Sequence, residues 1–208
     1  MRRAAPIILA CLCLALAASC ARKAPSRMEP TAQEDFDTGL RDYTQENYAV
    51  AMGKFEQAVA MSPSFVEATY YLGLSAWKLN MLDKARKAFI DTLNLNPNHI
   101  QARESLGILS YNLSDLAEAK RNLEAARFLN SINPQVYQCL GRIYAQEGRC
   151  PEALEVYQKG LAVDSSNQPL RTEYENARRT CGHGGPRAVP LSHGKKSRHG
   201  KGTKPGNP

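Results

Sequence analysis

Apolar residues in the central part of the chain recur every three or four positions, the spacing of one face of an α-helix. These stretches are roughly 13–14 residues long and come in pairs, such as 66–79 and 82–95. A short turn separates the two members of a pair, Asn80-Met81 in this case and Glu147-Gly148-Arg149 further along the chain. The pattern therefore predicts a series of antiparallel helix pairs.

Four columns of residues recur at a spacing of 34 positions. They are Gly39, Gly73, Gly107 and Gly141; Ala51, Ala85, Ala119 and Ala153; Phe55, Phe89, Leu123 and Tyr157; and Ala58, Thr92, Ala126 and Gly160. The small columns let two helix axes approach, and the bulky column fills the space beside them. Pro63 and Pro97 end the first two units, because proline cannot continue a helix. One hairpin cannot bury its apolar faces alone, so the units must stack.

This pattern resembles the tetratricopeptide repeat family over about residues 32–165. The resemblance is carried by Leu72-Gly73, Ala85, Phe89 and Pro97 in the second unit and by Leu140-Gly141, Tyr144, Gly148, Ala153 and Tyr157 in the fourth. It implies an all-α solenoid of four helix-turn-helix repeats that start near residues 32, 66, 100 and 134. The polar segment 168–181 suits a C-terminal capping helix, so the predicted repeat domain spans 32–181.

By the same resemblance, the first helix of each repeat lines a concave groove. Positions 36, 40 and 43 share one helical face, as do the equivalent positions of the next two repeats. We expect a partner-binding groove made of Phe36, Leu40, Tyr43, Tyr70, Leu74, Trp77, Ile108 and Tyr111. Such a stripe fits a peptide segment with apolar side chains. An alternative is that Leu40, Leu74 and Ile108 pack between neighbouring first helices.

The first twenty residues have the layout of an export signal. Two arginines precede a short apolar run and a stretch of small residues. The end of this segment, Leu16-Ala17-Ala18-Ser19-Cys20, resembles the lipobox of bacterial lipoproteins. We therefore expect a signal peptide over 1–19, a diacylglycerol or acyl lipid on Cys20, and a flexible tether over 20–31. The alternative is an ordinary secretory signal. Ala21 after the cysteine favours, by the same resemblance, the periplasmic face of the outer membrane of a Gram-negative bacterium.

The formal net charge of +7 is confined to the two ends of the chain. Arg2 and Arg3 belong to the predicted signal, and segment 182–208 carries six basic residues without an acid, so residues 4–181 carry a formal charge of −1. The folded part therefore gives no indication of nucleic-acid binding. The segment 182–208 is rich in Gly and Pro and is predicted to be a disordered basic tail, which is either simply solvated or attracted to anionic lipid or cell-wall polymer.

Three cysteines remain in the predicted mature domain: Cys139, Cys150 and Cys181. Cys150 opens the second helix of the fourth repeat, and Cys181 ends the capping helix 31 residues later. Because 31 is one repeat less the turn, both should lie at the same rim, and we predict a Cys150–Cys181 disulfide with Cys139 as a free buried thiol. The alternative is that all three are small core residues.

The sequence contains no recognisable catalytic or metal-binding motif: CxxC, HExxH, GxSxG and a Gly-rich phosphate loop are absent. We therefore expect a non-enzymatic binding protein with no cofactor beyond its lipid. Small repeat lipoproteins that it resembles act as pilotins, which assist assembly of the outer-membrane secretin of type IV pili. The resemblance implies a secretin segment as the ligand of the groove. A second hypothesis is a scaffold that recruits peptidoglycan-remodelling enzymes or another envelope complex.

Overall fold

The computed structural model describes residues 31–182, and within that range all regular structure is α-helical. Nine helices follow one another: α1 Ala32–Thr44, α2 Tyr48–Met61, α3 Val66–Lys78, α4 Leu82–Leu95, α5 Ile100–Asn112, α6 Leu116–Phe128, α7 Pro134–Gln146, α8 Cys150–Val163 and α9 Gln168–Gly182. The predicted all-α repeat solenoid is confirmed. The predicted signal peptide, Cys20, nearly all of the tether and the basic tail lie outside the described residues.

The helices pair into four hairpins, α1–α2, α3–α4, α5–α6 and α7–α8, and α9 follows the last pair. Each second helix also packs against the first helix of the next repeat, and α8 packs against α9 in the same way. First helices contact one another as well, α1 with α3, α5 with α7, and α7 with α9. The first helices thus form one layer and the second helices the other, which gives the solenoid two distinct long faces.

The turn inside each hairpin repeats with the period of the sequence. Its key residue has a positive φ of 58–73° in all four repeats: Glu46, Asn80, Ser114 and Gly148. In the second repeat, the N–H of Asn80 bonds to the Trp77 carbonyl at 2.9 Å and that of Met81 to the Ala76 carbonyl at 2.8 Å. These paired bonds are a Schellman motif, which satisfies the last carbonyls of the first helix. The chain therefore reverses in the same way at each hairpin.

The glycine column and the bulky column meet face to face inside each hairpin. A Cβ atom built on Gly73 would lie 2.7 Å from Cε1 of Phe89, and one on Gly39 would lie 2.7 Å from Cε1 of Phe55. Leu123 covers Gly107 in the same way, and Tyr157 covers Gly141. The bulky side chain of the second helix thus rests directly on the glycine of the first, which explains why both columns recur in register.

This contact gives opposite predictions for two helical glycines. Gly73→Ala should destabilise the protein by about 1–3 kcal/mol, because the added methyl group overlaps the Phe89 ring. Gly53→Ala should stabilise it by about 0.5–1 kcal/mol, because Gly53 lies inside α2 with nothing within 4 Å of its Cβ position. Thermal unfolding of the two variants beside the parent measures both effects, and a shift of the same sign in both would contradict the packing described.

Candidate partner-binding surface

One column on the first helices faces the next repeat rather than open space. The members of this seam column are Phe36, Tyr70, Glu104 and Gln138. Phe36 is only 8% exposed, and its ring centroid lies 4.8 Å from that of Phe65 and 5.8 Å from that of Tyr71. The expectation that Phe36 lines the groove is therefore wrong. Phe65 and Tyr71 belong to the next hairpin, so the Phe36 ring fills the seam between the first two repeats.

Tyr70 makes the corresponding contact at the second seam. Its ring centroid lies 4.8 Å from that of His99, and its hydroxyl oxygen lies 3.5 Å from Oγ of Ser105. Burial raises the pKa of the Tyr70 phenol, so the group is uncharged at neutral pH. His99 also caps α5, because its Nδ1 accepts a hydrogen bond from the Ala102 N–H at 3.1 Å. Tyr70 keeps a partly exposed surface while it holds this seam.

The last two seams are polar instead of aromatic. The Glu104 carboxylate accepts hydrogen bonds from Oγ of Ser131 at 2.5 Å and from Nδ2 of Asn133 at 3.2 Å. Nε2 of Gln138 donates to Oε1 of Glu173 in the capping helix at 2.6 Å. The seam column therefore joins each repeat to the next one, and its chemistry changes along the chain from ring packing to hydrogen bonding.

The second column predicted to line the groove, which contains Leu40, Leu74 and Ile108, is divided between core and surface. Ile108 is 4% exposed and belongs to the core cluster of the third and fourth repeats, together with Leu140 and Ile143. Its assignment to the groove is wrong; it packs between α5 and α7, as the alternative interpretation held. Leu40 and Leu74 are partly exposed and lie at the margins of the two clusters nearer the N-terminus.

The third column, Tyr43, Trp77 and Tyr111, is partly exposed throughout. Tyr43 stands edge-on to Tyr48, with ring centroids 5.2 Å apart. Trp77 stands edge-on to Phe89, with centroids 6.0 Å apart and planes at 77°. Trp77 and Tyr111 both pack against the core cluster of the third and fourth repeats. Each ring is thus held on one side by the core and presents another side to solvent.

Leu74, Trp77 and Lys78 line a pocket on the last two turns of α3, here called the α3 pocket. Lys78 is exposed, and its Nζ lies 5.8 Å from the ring centroid of Tyr48. Lys78 is not among the predicted groove residues, because only apolar positions define that prediction. The sequence signal for Lys78 is its position next to Trp77 in the last turn of the helix, where the helix dipole favours a cation. The pocket thus offers an apolar floor with a cation at its rim.

The fourth repeat is closed off by the capping helix. Nε of Arg142 donates to Oε2 of Glu173 at 2.8 Å, and this ion pair stands beside the Gln138–Glu173 hydrogen bond. Hydrogen bonding to Glu173 raises the pKa of Arg142 further, so its charge is permanent and already paired. Arg142, the polar member of the second column, therefore holds α9 in place and is not an unpaired anion receptor.

Cys150 and Cys181, the two cysteines whose pairing the spacing predicts, are joined by a disulfide with Cα atoms 5.7 Å apart. The bond ties the start of α8 to the end of α9. Cys139 is a free thiol, 4% exposed. Burial raises its pKa to about 11, so the reactive thiolate is scarce at neutral pH.

Within residues 31–182, no group of three or more His, Cys, Asp or Glu side chains could hold a metal ion. None of the helices α1–α9 is both long enough and apolar enough to cross a bilayer. The described part of the chain thus presents the α3 pocket and the aromatic column beside it as its candidate site.

The tetratricopeptide repeat family profile matches residues 36–99 and 104–168. Among solved structures, MamA from Desulfovibrio magneticus RS-1 shares 19% identity and a TM-score of 0.65, over 73% of this chain and 86% of that one. Another MamA crystal structure shares 20% identity with a TM-score of 0.63, over 69% of this chain and 84% of that one. YrrB, described as a tetratricopeptide repeat protein with an unusual peptide-binding site, shares 22% identity with a TM-score of 0.60, over 69% of this chain and 74% of that one. These likenesses show the fold. No curated protein sequence matches the chain.

Proposed function

The chain belongs to the tetratricopeptide repeat family, and from that premise we propose that it is an adaptor that binds a segment of another protein. The ligand lies across the first-helix layer and inserts an apolar side chain into the α3 pocket. The observation that carries the proposal is the side-chain arrangement there: Leu74 and Trp77 each pack against the core on one side and remain partly exposed around one pocket. Exposed apolar surface in a concavity typically marks a partner site.

Trp77 is the anchor of this site. Aromatic side chains that are rigid and only partly covered dominate binding energies, because they offer a large apolar face at low entropic cost. Phe89 fixes the orientation of the indole from below. Lys78 at the rim favours a ligand that has an acidic group next to its apolar residue, since the exposed ammonium would pair with it.

We infer the location from the N-terminal sequence. A signal over 1–19 and a lipid on Cys20 would hold the adaptor on the periplasmic face of the outer membrane, with a short tether before α1. We propose a secretin subunit of the type IV pilus system as the partner, which makes the protein a pilotin. The support is the resemblance of the lipobox and the repeat domain to small repeat lipoproteins of that class, although those proteins usually carry about six repeats and this chain has four and a capping helix.

Binding to a purified secretin subunit tests both levels of the proposal. Trp77→Ala should weaken the complex about tenfold or more, a loss of at least about 1.4 kcal/mol, because it removes the anchor. Phe128→Ala is the control: Phe128 is 85% exposed and lies on α6, away from the α3 pocket, so its affinity should match the parent. Calorimetry in detergent measures both, and equal affinity of the Trp77→Ala variant and the parent would remove the α3 pocket as the site.

Deletion of the basic tail, segment 182–208, distinguishes the scaffold hypothesis from the pilotin proposal. A scaffold that touches the cell wall would depend on these six basic residues, so deleting them should impair recruitment of peptidoglycan enzymes and spare secretin assembly. Secretin multimers in membranes from cells with the deletion report on one role, and pull-down of peptidoglycan synthases and hydrolases reports on the other.

A further inference from the structure

The two edges of the solenoid differ in charge. Residues 58–66, 92–102 and 128–138 run from the end of one repeat into the start of the next, and none of them is Asp, Glu, Lys or Arg. The equivalent segment after the fourth repeat, residues 160–170, contains one charged residue, Asp164. The opposite edge, where each hairpin turns, is charged in every repeat, as at Glu46, Asp83, Glu118 and Arg149. The connections themselves thus carry almost no charge, although Glu34, Asp35, Glu67 and Arg127 lie in the helix turns that flank them. We call the edge formed by these connections the uncharged edge.

The uncharged edge carries the two most exposed large apolar side chains in the described part of the chain. Phe128 is 85% exposed and Ile132 is 81% exposed. Met61, Leu95 and Val163, at or next to the equivalent helix ends, are 39–47% exposed. A row of apolar side chains along an uncharged edge is unfavourable in water, which indicates that something covers it.

The exposure of Phe128 and Ile132 is built into a rigid connection. The chain turns early after α6, because Asn130 has φ 60° and the Ser131 N–H bonds to the Ala126 carbonyl at 3.0 Å. Ser131 is 2% exposed, and its carbonyl accepts a hydrogen bond from the Tyr137 hydroxyl at 2.6 Å. The turn is thereby fixed with its two apolar side chains directed outward. Phe128 lines a pocket together with Arg127 and Lys159, and both of these cations are paired with the Glu155 carboxylate, at 3.7 Å and 2.6 Å.

The first helix, α1, begins at this same edge. α1 begins at Ala32, and its counterparts α3, α5 and α7 begin at 66, 100 and 134, each directly after an uncharged connection. The start of α1 therefore lies at the uncharged edge, and the chain before it leads to Cys20 in twelve residues. Fully extended, these residues reach at most about 40 Å. A lipid on Cys20 would therefore attach the domain to the bilayer through this edge.

We propose that the uncharged edge rests on the membrane surface, with Phe128 and Ile132 inserted among the lipid headgroups. Exposed large apolar side chains are favoured in this zone, where the depth of insertion is about 5–10 Å. Docking would fix the domain against the bilayer and leave the α3 pocket, at the opposite ends of the first helices, turned away from it. This inference rests on the proposed lipid anchor and is independent of the identity of the partner.

Single-tryptophan quenching tests the orientation. The full chain with Trp77→Phe receives one new tryptophan, either at Phe128 or, as the matched control, at Val50 on the charged edge, which is 56% exposed. Both are placed on vesicles of phosphatidylethanolamine and phosphatidylglycerol that contain phosphatidylcholine brominated in its acyl chains. Because the bromines lie below the headgroups, quenching should be about twofold or more greater for F128W than for V50W. An Ile132→Trp variant, expected to behave like F128W, guards against local misfolding at one site.

The outcomes are distinct. Flotation with the vesicles and stronger quenching at positions 128 and 132 support the proposal. If the protein floats but quenching is equal at all three positions, or absent at all three, the edge is not docked, and the lipid anchor is still supported. A doubled mass in detergent with positions 128 and 132 protected from aqueous iodide overturns it in favour of a second copy of the chain. Failure to float overturns the lipid anchor and the docked edge together, and leaves partner binding at the α3 pocket unaffected.

Discussion

Replacing Phe89 by alanine is expected to lower the free energy of unfolding by about 3–5 kcal/mol. The side chain is fully buried, with its ring directly against Gly73. Its centroid also lies 5.9 Å from that of Tyr70 and 6.0 Å from that of Trp77. The substitution therefore removes buried apolar surface, leaves a cavity, and takes away the support of two rings on the first-helix layer. The melting temperature should fall by about 10 °C.

The matched control is Phe128→Ala, the same chemical change at an exposed position. With 85% of its surface already in water, Phe128 contributes little to the soluble fold, so the change in stability should stay within about 0.5 kcal/mol. Thermal unfolding in detergent, followed by far-ultraviolet circular dichroism, measures both variants. Similar destabilisation by the two substitutions would contradict the assignment of Phe89 to the core and of Phe128 to the surface.

The hairpins could be predicted from the sequence because their contacts are local and repeat without change. Gly73 and Phe89 are 16 residues apart, and the same separation joins Gly39 to Phe55 and Gly141 to Tyr157. A fixed separation between a small and a bulky column is visible in the letters alone. Packing physics then allows few arrangements other than ring on glycine.

The direction of the seam column could not be predicted in the same way. Periodicity shows that Phe36, Leu40 and Tyr43 share a face of α1, but it does not show where the next repeat is placed over that face. That placement depends on the rotation between hairpins, which is a tertiary quantity. Phe36 thus became buried, whereas Tyr43 stayed partly exposed.

A signal for the seam does exist in the sequence at a different spacing. Phe36 meets Phe65 and Tyr70 meets His99, in both cases 29 residues downstream. Glu104 hydrogen-bonds Asn133, again 29 residues on. Ring pairs with ring and acid pairs with amide, so the two columns change chemistry together. This paired change of the two columns is the sequence signal that places Phe36 in the seam.

The irregular turn after α6 has a weaker signal. Pro63 and Pro97 stand where Ser131 stands in the third repeat, which indicates a changed connection. The left-handed backbone at Asn130 and the anchoring of Ser131 by Tyr137 are tertiary features. The exposure of Phe128 and Ile132 follows from them and could not be predicted from apolar periodicity, which favours burial of both side chains.

The second large effect is expected at the disulfide between Cys150 and Cys181. Replacing both cysteines by alanine should destabilise the protein by about 3–4 kcal/mol, because the closed loop spans 31 residues and its entropy is lost from the unfolded state. In a solenoid each unit contacts only its neighbours, so the damage should be concentrated in α9 and α8. Leu170, which is fully buried, and the Arg142–Glu173 ion pair should keep α9 formed part of the time.

Thiol reduction of the parent supplies the matched control. Dithiothreitol should lower the melting temperature of the parent toward that of the double alanine variant and should leave the variant unchanged, since Cys139 forms no disulfide. Hydrogen exchange should show faster exchange at the amides of α9 in the reduced parent, while those of α4, two repeats away, keep their protection. If reduction accelerates exchange equally in α4 and α9, or leaves α9 unchanged, the disulfide does not act as the clasp of the capping helix.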